Sequence, residues 1–85
     1  MRIVCVWREG EDYSRTMEEW ITEYERRTGK EIETISPDGR EGEEFCRTYD
    51  VVEYPTIMAL DPNGSVLEEW RGKELPTFDA VTYWS

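Results

Sequence analysis

Cys5 and Cys46 are the only thiols in this 85-residue chain, and no histidine accompanies them. A cysteine acts as a nucleophile through its thiolate, which needs a helix N-terminus, a cation or a neighbouring base to form at neutral pH. The two cysteines lie far apart in sequence, so the chain has no CxxC pair. The missing histidine removes the commonest general base and the commonest transition-metal ligand. Ser14 therefore lacks a base to activate it, and no residue is assigned a catalytic role. The oxygens of Asp61-Pro62-Asn63-Gly64 lack the ligand repeat and terminal Glu of a calcium loop. That segment reads as a turn, with proline at the first central position and Gly64 in the left-handed position that closes a hairpin. No metal site and no cofactor are expected.

The elements that must position these residues follow from apolar spacing. Arg2–Trp7 is apolar on both parities, as in a strand buried on both faces. From Tyr13 the apolar residues Met17, Trp20, Ile21 and Tyr24 recur at offsets of 4, 7, 8 and 11, one face of a helix. Asp12 is the expected N-cap and Gly29 the glycine that ends this helix. Glu31–Ser36 reads as a strand nearer a sheet edge, and Pro37–Gly42 as a loop. A short helix is expected over Glu43–Tyr49, with Phe45, Cys46 and Tyr49 on one side. Thr56–Leu60 and Ser65–Trp70 read as a hairpin, and Pro76–Trp84 as a short helix presenting Phe78, Val81 and Trp84. The order is β-α-β-α-β-β-α. A right-handed crossover makes the first two strands parallel. The all-apolar first strand belongs mid-sheet, which gives the order 2-1-3-4 with helices on both faces, in a single domain spanning residues 1–85.

The net charge of −10 excludes several function classes. Such a surface repels nucleic-acid phosphates and anionic lipid, so neither nucleic acid nor membrane is an expected partner. An acidic mimic that occupies a DNA-binding protein is the one exception kept; charge that simply maintains solubility is the other reading. The chain shows no basic-then-apolar leader, and its longest clean apolar run is Ile3–Trp7. Unpaired cysteines without an export signal point to reduced thiols and a cytoplasmic location. The runs Glu18/Glu19/Glu23 and Glu41/Glu43/Glu44 read as solvated faces, with Arg15, Arg26 and Arg27 pairing with nearby acids.

The segment Tyr49-Asp50-Val51-Val52-Glu53-Tyr54-Pro55-Thr56 resembles the thioredoxin run of tyrosine, glycine, valine and a hydrophobic residue before Pro-Thr. An apolar strand, the Asn63-Gly64 turn and a strand closing at Gly72 follow in the same order. The chain thus resembles a minimal thioredoxin-like α/β domain over nearly its whole length, without the extra N-terminal β-α unit of full thioredoxins. The resemblance implies a cis Tyr54–Pro55 bond; a trans proline opening a strand is the alternative. It also implies that Tyr54 turns its backbone N–H and C=O outward, where the family pairs them with an extended peptide. Aligning Trp7 with the family's strand-ending tryptophan puts Glu11 and Ser14 at the two cysteine positions. Glu11 cannot perform thiol exchange and opposes a neighbouring thiolate, whereas a carboxylate suits a helix start. Glu11 and Asp12 then read as helix-capping residues.

By the same resemblance, Cys5 faces the first helix and Cys46 comes from the opposite side of the sheet. Their separation should exceed the roughly 7 Å that a disulfide tolerates, which leaves two free thiols. Trp7, Tyr13 and Tyr54 are expected around the vacant dithiol position and the proline loop. They serve either recognition or closure of a small core. The favoured expectation is a redox-inactive module that binds an unknown protein or peptide through Trp7, Glu11, Tyr13, Ser14, Tyr54, Pro55 and Thr56. The alternatives are a thiol-dependent oxidoreductase working through one cysteine and an acidic mimic or inhibitor. Without CxxC or histidine, the sequence points away from an enzyme.

Overall fold

The structure, a computed structural model, describes all residues from Met1 to Ser85. Its elements are β1 (Arg2–Val6), α1 (Ser14–Thr28), β2 (Glu33–Ile35), α2 (Arg40–Tyr49), β3 (Thr56–Leu60), β4 (Val66–Arg71) and α3 (Phe78–Thr82). The sheet runs β2-β1-β3-β4. β1 is parallel to β2, with Cys5 beside Thr34, and antiparallel to β3, with Cys5 beside Ile57. β3 and β4 form the antiparallel hairpin.

Strand parity divides the interior. Ile3 and Cys5 join Met17, Tyr24, Ile57, Ala59 and Val81 on the face covered by α1 and α3. Val4 and Val6 join Val51, Met58 and Leu60 on the other face, closed by Phe45, Cys46 and Tyr49 of α2. β1 and β3 have no solvent-facing side apart from Arg2, which is why their sequences are continuously apolar. Each fully buried Val, Leu or Met contributes about 1.5–3 kcal/mol.

Turn chemistry sets the connections. Gly29 caps α1 with φ +71° and donates its N–H to the Glu25 carbonyl. Gly64, at φ +87°, closes the β3–β4 hairpin, and the Asp61 carboxylate accepts from the Asn63 and Ser65 N–H groups at 2.8 and 2.9 Å. A register shift at Ala59/Leu60 takes up the extra residue. Thr77 caps α3, accepting from the Ala80 N–H.

Two expectations need correction. Asp12 does not cap α1: the position before the helix is Tyr13, no side chain caps it, and the Asp12 carboxylate instead binds Lys73 Nζ at 2.6 Å. The Lys73 ammonium holds that carboxyl below its usual range. The second correction is α2, which begins at Arg40, so Gly42 is helical rather than part of a loop. Gly42 is buried because the first turn of α2 presses on the strand exit; a Cβ there would overlap the Ser36 carbonyl oxygen and lie 3.2 Å from Ile35 Cγ2. The glycine is a packing requirement and not a helix breaker.

Candidate functional site

Three chain segments meet at one end of the sheet: Trp7–Tyr13 between β1 and α1, Ser36–Gly39 before α2, and Glu53–Thr56 before β3. Trp7 continues the β1–β2 ladder by donating its N–H to the Ile35 carbonyl at 3.1 Å. The chain then loops through Gly10, at φ +83°, into α1. Ser14 holds this loop from inside: its hydroxyl donates to the Arg8 carbonyl at 2.8 Å and accepts the Glu11 N–H at 2.9 Å. The Tyr13 hydroxyl accepts the Arg8 N–H at 3.0 Å. The Ser14 proton is therefore committed to a backbone carbonyl, and the hydroxyl acts as a strut.

Arg8 ties the three segments together, and the sequence reading passed over it. Its guanidinium binds Asp38 through two parallel hydrogen bonds of 2.8 and 2.9 Å. It lies 5.2 Å from the centroid of the Tyr54 ring and 3.9 Å from the Glu11 carboxylate. Asp38 in turn keeps the Arg8 guanidinium even more firmly protonated than usual. The available signal was that Arg8 is the one cation between Trp7 and Ser14, beside Glu9, Glu11 and Asp12.

The proline loop is fixed from both sides. The Tyr54–Pro55 peptide bond is cis. The Thr56 hydroxyl, fully buried, donates to the Glu53 carbonyl at 2.6 Å. The Pro55 carbonyl accepts the Gly72 N–H at 2.8 Å. Between these anchored groups, the Tyr54 N–H and C=O have no hydrogen-bond partner in the chain. The Tyr54 ring turns back toward the α2 face, its hydroxyl 3.4 Å from the Val51 carbonyl and 3.9 Å from Cys46 Sγ. Burial and the Cys46 contact raise the pKa of this phenol.

Of the expected site residues, Trp7 and Tyr13 pack against the α1–α3 core, whereas Tyr54 packs against the α2 core. No ring–ring contact joins the three; Arg8 stands between them, its N–H on Tyr13 and its guanidinium on Tyr54. Glu11 and Asp12 are exposed at the loop surface. Both cysteines are free thiols. Cys5 is wholly buried on the α1 face, and burial pushes its thiol pKa up to about 12. Cys46 is partly exposed on the other face. A cavity of about 480 Å³ opens beside Arg8, between Trp7 and Glu9 on one wall and Ser36 and Asp38 on the other.

Thioredoxin 1 from the thermophilic eubacterium Thermosipho africanus TCF52B has a similar structure, with a TM-score of 0.69 over 98% of this chain and 88% of that one. The fold is thioredoxin-like. The two sequences are 17% identical, so the likeness is one of architecture. A malarial protein is similar at a TM-score of 0.67 and 15% identity, over 96% of this chain and 89% of its own. No protein-family model and no curated protein sequence matches the chain. In this thioredoxin-like frame, no helix is long and apolar enough to cross a membrane.

Proposed function

We propose that this thioredoxin-like domain is a redox-inactive binding or scaffold module that holds a protein or peptide partner along Tyr54-Pro55-Thr56. The observation that carries the reading is the pair of unpartnered backbone groups on Tyr54, flanked by carbonyls that are already engaged. A free N–H and C=O on one residue are what an added strand requires. The loop before α1 supports the non-redox half of the reading. It offers Glu11 and a hydrogen-bonded Ser14 where thiol exchange needs a thiolate, and Cys5 is too buried to supply one. Trp7, Glu11 and Tyr13 form the rim. The module works in the cytoplasm without cofactor or metal, and its partner is neither nucleic acid nor membrane.

One observation favours a second reading, single-thiol redox chemistry. Cys46 is partly exposed, and its sulfur lies 3.9 Å from the Tyr54 hydroxyl. Insulin reduction with dithiothreitol separates the two. The binding module leaves the background rate unchanged, whereas turnover that disappears in Cys46→Ser establishes the thiol reading. The docking reading is tested by affinity capture with wild type and Tyr54→Asp, after melting curves show that both are folded. Partners lost only in the variant support the loop as the site, and an identical set overturns it.

A further inference from the structure

Backbone pairing along an added strand provides affinity but does not choose side chains; the groups flanking the edge do that. Three cations on the segments around the Tyr54 loop are already committed. Arg8 is held by Asp38, Lys73 by Asp12 at 2.6 Å, and Arg71 by Glu69 at 2.8 Å. Carboxylates remain in excess. Glu9 and Glu53 are exposed and lie in no ion pair, and Glu11 reaches Arg8 only at 3.9 Å, on the guanidinium nitrogen that Asp38 leaves free. Glu53 immediately precedes Tyr54, and Glu9 lines the cavity of about 480 Å³ on the far side of Arg8. Trp7, Arg8, Thr34, Ile35, Ser36 and Asp38 line the rest of that cavity. With Arg8 and Asp38 neutralising one another, Glu9 is the unpaired charge in this lining, and a carboxylate beside Trp7 suits an ammonium or guanidinium. The net charge of −10 extends the same preference to longer range.

We propose that the segment accepted at the Tyr54 loop is a cationic extended peptide, one of whose Lys or Arg side chains enters the cavity beside Trp7 and Glu9. The proposal rests on the reading of Tyr54 as a docking edge and adds the chemistry of what docks there. The cationic side chain takes Glu9 as its counter-ion and lies against the Trp7 ring, while a neighbouring cation on the segment meets Glu53. The Arg8–Asp38 pair stays in place as the cavity's rear wall.

The test uses the full chain, isotopically labelled for amide and indole NMR. It is titrated with two synthetic peptides of equal length, one alternating Val/Thr with Lys and the other alternating Val/Thr with Glu. The expected result is that the lysine peptide shifts the Tyr54 and Thr56 amides and the Trp7 indole, while the glutamate peptide does not. Its affinity falls roughly twofold to fivefold in Glu9→Gln and again in Glu53→Gln, the range of an exposed charge pair, and it weakens with added salt. Both carboxylates are exposed, so neither variant disturbs the core. If both peptides shift Tyr54 with equal affinity, the charge preference is overturned and the docking edge stands. If neither peptide moves Tyr54, the docking edge and the inference fall together. If the lysine peptide instead shifts the Glu18, Glu19 and Glu23 face of α1 and ignores Glu9→Gln, the attraction is diffuse and the inference is overturned.

Discussion

The two thiols differ because their surroundings differ. Cys5 sits in an apolar interior that disfavours a thiolate, whereas Cys46 reaches the surface beside Tyr54. In the native protein, iodoacetamide is therefore expected to alkylate Cys46 and spare Cys5, with both reacting after denaturation. Mass spectrometry of a time course checks this, and rapid native labelling of Cys5 would contradict it. The raised Cys5 pKa also has a pH consequence. The folded value, about 12, lies above the ordinary 9.0, so the contribution to stability is complete below pH 9 and is lost as pH rises toward 12. Denaturant melts across that window should show alkaline destabilisation that is smaller in Cys5→Ala. The facing of Cys5 followed from strand parity together with the fold resemblance. Arg8 was not legible in the same way, because its partners Asp38 and Tyr54 are distant in sequence and only the fold brings them within reach.

Among the elements, α2 shows where reading and structure part. Gly42 looked like the end of a loop, yet it is buried in the first turn of a helix because Ser36 leaves no room for a Cβ. Gly42→Ala raises intrinsic helix propensity by about 1 kcal/mol. Here it is nevertheless expected to destabilise the protein, by about 1–3 kcal/mol of overpacking, as a lower midpoint in urea. An unchanged or higher midpoint would show that the helix can shift outward at no cost. α1 behaves as its pattern predicts, with Met17 and Tyr24 inward and charge outward. On its outer side Arg26, aided by Arg27, holds the Glu23 carboxyl down at about 2. A depressed folded pKa gives stability that is present above the ordinary 4.5 and is lost as pH falls toward 2. Helix-band circular dichroism melts over that range should weaken in wild type and change less in Glu23→Gln.

For the assembled domain, stability rests on two interiors separated by one sheet, and Met58 lies in the smaller one with no exposure. Met58→Ala is expected to cost about 2–5 kcal/mol, the range for a buried truncation that leaves a cavity. Equilibrium unfolding measures it; a loss below that range would mean that α2 collapses into the space. The same two-layer division explains why the aromatics of the candidate site do not form one cluster. Trp7 and Tyr13 belong to the α1–α3 interior and Tyr54 to the α2 interior. At that end of the sheet Arg8 reaches from Tyr13 to Tyr54.

Apolar patterning, turn residues and the Tyr54-Pro55-Thr56 resemblance were enough to determine the strand order, the two helix-covered faces and the separation of Cys5 from Cys46. These features follow from periodicity and local backbone chemistry, which a linear chain displays directly. Only the folded structure decided that Asp12 pairs with Lys73, that Ser14 struts its loop, that Gly42 packs within the first turn of α2, and that Arg8 joins three segments. The Asp12–Lys73 and Arg8–Asp38 pairs join segments remote in sequence, whereas the Ser14 and Gly42 contacts lie within six residues and depend on the path of the loop. Hydrogen bonds and charge pairs between remote segments leave no period in the sequence to be read.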